Sequence, residues 1–189
     1  MPTVHDVADY LLWLADRDRI GVDHLKLQKF VYYAQGFHLG STGEPLFDEE
    51  LHAWMYGPVC RELWERYRYR RDYLQPPESP SEGVFSDDAR EVVTMVYQRF
   101  RELSGIELFR RTHEEDPWID ADRRARTRES DLISIDALRD YFAGKLWVLI
   151  ENQEAPPPVS ATTVARYLEA HPELIAEAKE GTQDLARRA

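Results

Sequence analysis

The hydrophobic positions of this chain recur mostly at helical spacing. Val4, Val7, Leu11, Leu12 and Ala15 follow the i, i+3, i+4 rule, with Thr3 placed as an N-cap and Asp6 three residues on to complete a capping box. That helix is predicted to close near Arg17. After RDRIG, Asp23 caps HLKLQKFVYYAQGFHLG, where Leu27, Phe30, Val31, Ala34, Phe37 and His38 or Leu39 form one stripe and Gly40 and Gly43 stop the run. Pro58 at a first helical position opens VCRELWERYRYRRDY, with Val59, Leu63 and Tyr67 inward. Ser86 caps a helix carrying Val92, Val93, Val96, Tyr97, Phe100 and Leu103; Ser104 caps IELFRRTH and Ser134 caps IDALRDYFAG.

Two stretches depart from that period. In ELHAWMYGP, Leu51, Ala53 and Met55 alternate with His52, Trp54 and Tyr56, the signature of a short strand or extended arm. On this pattern Ala53 and Met55 turn inward, Gly57 makes the turn, and Trp54 and Tyr56 share the outer face. Lys29 and Tyr33, one helical turn apart, are expected to flank them. After Gly144, LWVLIE fits either a last helical turn or an edge strand, and the prolines at 156–158 mark a linker. ATTVARYLEAHPELIAEAKEG then reads as two short helices broken at Pro172, and QPPESPSEG at 75–83 as a surface loop. The expected architecture is mainly α: a helical domain over 1–145 with a minor extended element near 50–56, and a C-terminal extension over 146–189.

Composition sharpens this picture. With 189 residues, 43% hydrophobic and 12% aromatic, the chain carries enough apolar matter for one real core. Its net charge of −11 disfavours general attraction to phosphate backbones or anionic membranes. Cys60 is the single cysteine, which excludes an internal disulfide and paired-thiolate zinc sites. No apolar run reaches the ~20 residues of a membrane span and the N-terminal stretch holds Asp6 and Asp9, so a cytoplasmic protein with no membrane partner is expected.

The candidate chemistry is sparse. His113-Glu114-Glu115-Asp116 resembles a metalloprotease fragment, but the zincin pattern needs a second His where Pro117 stands. Cys60 lies after Pro58 near a helix start without a Cys-His-Asn signature, and neither a phosphate-cradling Gly-rich loop nor a nucleophile elbow is present. No enzyme and no cofactor are expected. The run RYRYRRDY, residues 66–73, interleaves Arg66, Arg68, Arg70 and Arg71 with tyrosines, a composition suited to phosphates and stacked bases or to a protein interface. RRARTR at 123–128 is a second basic run that could join it.

Three stretches taken in order, LKLQKFVYYAQGFHL (25–39), PLFDEELHAWMYGPVCRELWERY (45–67) and THEEDPW (112–118), resemble the Panacea domain, the family of SocA-like and GepA-like antitoxin proteins. The resemblance covers about residues 3 to 145, and the chain meets the family pattern at Leu27, Lys29, Tyr33, Trp54, Gly57, Pro58, His113 and Trp118. It implies a protein encoded beside a cognate toxin that neutralises it by direct binding, with no catalytic residue carried over. Partner-binding candidates are Lys29, Tyr33, Trp54, Tyr56, Arg66, Arg68, Arg70 and Arg71. The competing expectations are an autoregulator that binds operator DNA through the arginine run and an adaptor that delivers its partner to a cellular protease.

Overall fold

The computed structural model describes residues 1–152, which lie within one compact unit, Met1–Glu154. The C-terminal helices expected beyond the Pro-rich linker fall outside the described residues. The fold is mainly α, with seven helices and one small hairpin among the described residues.

Helix α1 (Val4–Arg17) starts at Thr3 with the capping box the sequence predicts: Thr3 accepts from the Asp6 amide and the Asp6 side chain accepts from the Thr3 amide. Helix α2 (His24–Thr42) starts at Asp23, whose carboxylate accepts from the Lys26 amide at 2.7 Å. It is the centre of the molecule. The single stripe expected from the sequence is too narrow, because every residue from Lys26 to Leu39 is buried. Helices α1, α4 (Asp87–Phe100), α5 (Gly105–Thr112) and α7 (Ile135–Asn152) and the hairpin all pack on it. A helix covered all round loses the amphipathic pattern that marks a surface helix.

Gly40 does not end α2; the helix continues to Thr42 and Gly43 caps it at φ 79°. Gly36 and Gly40 instead let α7 come close. A Cβ on Gly36 would sit 2.3 Å from the Phe142 ring, and one on Gly40 would sit 2.7 Å from the Ala143 amide nitrogen. Helix α7 also settles LWVLIE as helix, since it runs unbroken through 146 to Asn152. Phe142 sits on the axis of an aromatic cluster with Tyr32, Tyr33 and Phe37, at ring separations of 4.9 to 6.1 Å.

The extended element has a partner. Strand β1 (Leu51–Trp54) pairs antiparallel with β2 (Gly57–Cys60), joined by Met55 and Tyr56. Pro58 therefore stands in a strand opposite Ala53 and does not open a helix; α3 is shorter, Arg61–Tyr67, with Cys60 as its N-cap residue. A proline is tolerated there because Ala53 directs its N–H away from β2, to the Asp131 carbonyl at 2.7 Å. Ile133 likewise donates to the Leu51 carbonyl at 2.8 Å, so the outer edge of β1 is paired with residues 131–133. Sandwiched in this way, β1 is buried from Leu51 to Ala53, and the inward/outward alternation read from the sequence fails: His52 is buried, while Met55, expected inside, is 40% exposed at the hairpin tip.

Helix α6 (Asp116–Arg126) has no counterpart in the sequence reading, although Pro117 in its first turn is a recognised start signal. It lies against β1 and α7.

Gly57 is fixed by two separate constraints. Its φ is 92°, and a Cβ would lie 2.8 Å from Lys29 Nζ and 2.9 Å from Thr112 Oγ1. Gly57→Ala should therefore cost about 2 kcal/mol or more, whereas Gly43→Ala, at φ 79° with open space around it, should cost roughly 1 kcal/mol. Thermal denaturation of the two variants checks this, and equal melting temperatures would remove the steric part of the argument.

Candidate functional site

The site is built from the hairpin outward. Antiparallel strands leave one edge of β2 unpaired, and α2 fills it with side chains. Gln28 accepts from the Cys60 amide at 2.9 Å and donates to the Cys60 carbonyl at 3.3 Å, copying the two bonds of a neighbouring strand. Lys29 Nζ donates to the Pro58 carbonyl at 2.9 Å. Two turns on, Gln35 holds the approach to the hairpin, donating to the Phe47 carbonyl at 2.9 Å and accepting from the Leu46 amide at 2.8 Å. Buried backbone polar groups need such partners, and here three polar residues of one helix supply them.

The other side is held by THEEDPW. Trp118 donates its indole N–H to the Trp54 carbonyl at 3.2 Å. The His113 ring lies against that indole at 3.9 Å between centroids, and its nitrogens lie 2.7 Å from the Phe109 carbonyl oxygen and 3.1 Å from that of Met55. Glu115 completes the block. The residue is only partly buried, but its carboxylate is turned into the interior, where one oxygen accepts from Tyr32 at 2.7 Å and the other from Tyr33 at 3.0 Å.

This interior carries two displaced ionisations. Burial pushes Lys29, which has no carboxylate partner among the described residues, down to about 7. Burial pushes Glu115 up to about 7, against the opposing pull of the two tyrosine hydroxyls, Lys145 and Arg111. Tyr32 and Tyr33 in turn are held well above the usual range by burial and by the charge of Glu115. Cys60 is an inert thiol, its ionisation pushed up to about 12 chiefly by burial.

Lys29 and Tyr33 are thus interior residues and do not flank an exposed corner. Leu27, Gly57, Pro58 and Trp118 are also buried, and His113 is half-buried. The positions that meet the family pattern brace the hairpin from both sides. What they present is the tip: exposed Met55 with half-buried Trp54 and Tyr56. Trp54 also donates to Asp131, which accepts from His52 Nδ1 at 3.1 Å.

The tip continues into the arginine–tyrosine run through Trp64, a residue the sequence reading did not single out. Trp64 meets Trp54 edge to face at 5.4 Å, and the Arg68 guanidinium lies over Trp64 at 5.1 Å and over Tyr69 at 4.7 Å. The four-residue step from Trp64 to Arg68 was the available signal, since such pairs meet on a helix face. Arg66 belongs elsewhere: it lies over Tyr67 and pairs with Asp9 of α1 at 2.9 Å. In the second basic run Arg123 pairs with Asp120 at 3.1 Å and Arg126 with Asp122 at 2.7 Å, while Arg124 donates to the Leu132 carbonyl. Met55, Trp54, Trp64, Arg68 and Tyr69 therefore form one aromatic ledge.

Residues 27–119 match the family model described as antitoxin SocA-like, Panacea domain. The matched segment is similar to a Panacea domain and runs from the core of α2 through the hairpin and α3 to the start of α6, the parts that brace and form the ledge. No curated protein and no solved structure matches the chain. No helix among the described residues is long and apolar enough to cross a membrane.

The two ionisations give opposite pH signatures. Glu115 binds its proton more tightly folded than unfolded, so its contribution to stability is full below about pH 4.5 and is lost by about pH 7. Glu115→Gln should match the natural protein at pH 4.5 and become progressively more stable than it toward pH 7, with no further gain above. Lys29 binds its proton less tightly folded, so its neutral form favours folding as pH rises from about 7 toward 10.5. Lys29→Met should gain on the natural protein most at pH 7 and below. Urea unfolding of the three proteins across pH reads both differences, and parallel curves would refute the assigned ionisations.

Proposed function

We propose that this protein is an antitoxin that neutralises a cognate toxin by direct protein–protein binding at the aromatic ledge. The observation that carries the reading is the convergence of the matched domain on one surface: the buried polar residues of α2 and the segment 112–118 fix the hairpin so that Met55, Trp54, Trp64, Arg68 and Tyr69 are held together at the outside. Trp, Tyr and Arg are the residue types that dominate interface energetics, and rigid anchors lose little entropy on docking. Neutralisation on this reading is stoichiometric: the toxin is occupied, and no bond is made or broken.

The test is co-expression with the product of the adjacent gene, scoring growth and then co-purification. The natural protein should restore growth and bring down its partner. Met55→Asp combined with Tyr69→Ala, both at exposed positions, should abolish rescue and weaken the complex about 100-fold or more, with the melting temperature changed by only about 1–2 °C. Glu91→Ala with Gln98→Ala, on the outer face of α4, should leave rescue intact. Rescue and co-purification unaffected by the ledge variant would overturn this surface as the binding face.

A further inference from the structure

Some of the described arginines are held in ion pairs and others, Arg19, Arg61 and Arg128 among them, are not. Arg17, Arg66, Arg101, Arg123, Arg126 and Arg139 each form an ion pair with an aspartate or glutamate. Arg68, Arg70 and Arg71 are exposed and form none among the described residues, although the chain holds 35 carboxylates for 24 lysines and arginines. Arg68, Arg70 and Arg71 are distinguished by lying close together in one exposed stretch of a protein whose net charge is −11.

The segment that carries them is not a loose end. The Leu74 amide donates to the Val22 carbonyl at 2.9 Å, and the Tyr73 ring covers Gly21 so closely that a Cβ there would meet it at 2.8 Å. Arg68 is stacked on both Trp64 and Tyr69. Tyr69 and Tyr73 nevertheless remain 81% and 65% exposed. The result is a fixed strip of arginines and tyrosines continuous with the apolar tip of the hairpin.

Resting on the reading that the ledge binds the toxin, we infer that the element it receives is an acidic segment of that partner protein, carboxylates on the Arg68, Arg70 and Arg71 forks and apolar side chains on Trp64, Tyr69 and Met55. Guanidinium forks match carboxylates in bidentate geometry, and stacking on Trp64 and Tyr69 orients that of Arg68 beforehand. The acidic remainder of the protein would repel a misplaced acidic chain everywhere else, which confines the segment to this strip. A nucleic acid fits less well: it needs a longer basic track, and in the second basic run that could extend it Arg123 and Arg126 are already paired with Asp120 and Asp122.

Fluorescence anisotropy on the full chain tests this without the toxin. The probes are a labelled peptide repeating Glu-Glu-Leu-Gly, its Gln-Gln-Leu-Gly counterpart and a labelled oligo-dT. At low salt the Glu peptide should bind about tenfold or more tightly than the Gln peptide, an advantage removed by the combined substitution Arg68→Gln, Arg70→Gln, Arg71→Gln and kept in Arg123→Gln, Arg126→Gln. Equal affinity for the two peptides would overturn the inference, as would oligo-dT binding tighter than the Glu peptide with the same arginine dependence. Growth rescue by the natural protein without selective Glu-peptide binding would overturn the acidic segment and leave the antitoxin reading standing; selective, arginine-dependent peptide binding without rescue would support the acidic docking strip and overturn the antitoxin reading.

Discussion

The burial of α2 on every side from Lys26 to Leu39 is the constraint on which the rest of this structure depends. A helix surrounded on all sides cannot hide its polar residues at a solvent edge, so Gln28, Lys29 and Gln35 must find partners inside. They find them in the backbone of residues 46–60, which as an isolated hairpin and its lead-in would otherwise be short of hydrogen bonds. Each solves the other's deficit. A two-stranded hairpin is marginal alone in water; here one edge is completed by side chains of α2 and the other by residues 131–133.

This mutual dependence explains why so many of the residues that meet the family pattern are not on the surface. Lys29, Tyr33, Gly57, Pro58 and Trp118 are bracing, and His113 and Glu115 set the opposite wall. Lys29 is the plainest case. A buried amine with one carbonyl acceptor and no carboxylate is costly to keep charged, and its tip lies where a Cβ on residue 57 would go. Lysine, glycine and the carbonyl of proline form one unit that fixes the direction in which the hairpin leaves the core. A recognition surface needs that rigidity, because every degree of freedom left in the tip is entropy lost on binding.

The outer surface has its own economy of charge. On this acidic protein Arg17, Arg66, Arg101, Arg123, Arg126 and Arg139 meet an acid close by, while Arg124 meets a carbonyl. In the strip 68–71 Arg68 is stacked on the Trp64 and Tyr69 rings. Stacking orders the Arg68 guanidinium without an acid partner among the described residues, which is a disposition for recognising something else and contributes little to the stability of the chain itself.

The sequence by itself determined the local events. Thr3, Asp23, Ser86, Ser104 and Ser134 start their helices as capping chemistry requires, α1 closes at Arg17, and Val93, Val96, Tyr97 and Phe100 of α4 are buried as predicted, whereas Val92 is half-buried and Leu103 lies past the helix end. These depend on side chains bonding to backbone within three or four residues, so they are legible in a linear string. The aromatic corner was legible as a candidate, but its geometry was not. Pro58 reads equally well as a helix opener, and only the pairing of Ala53 with Asp131, some eighty residues along the chain, makes it a strand residue. The same holds for Met55, exposed because it lies in the turn at the hairpin tip, and for Lys29 and Tyr33, drawn inside by a carbonyl from the hairpin and the carboxylate of Glu115 at the start of α6. Joining Trp54 to Trp64 and Arg68 likewise took the fold of the hairpin. Periodicity records which side of its own element a residue occupies; tertiary packing decides whether that side faces solvent, because burial is set by elements distant in sequence.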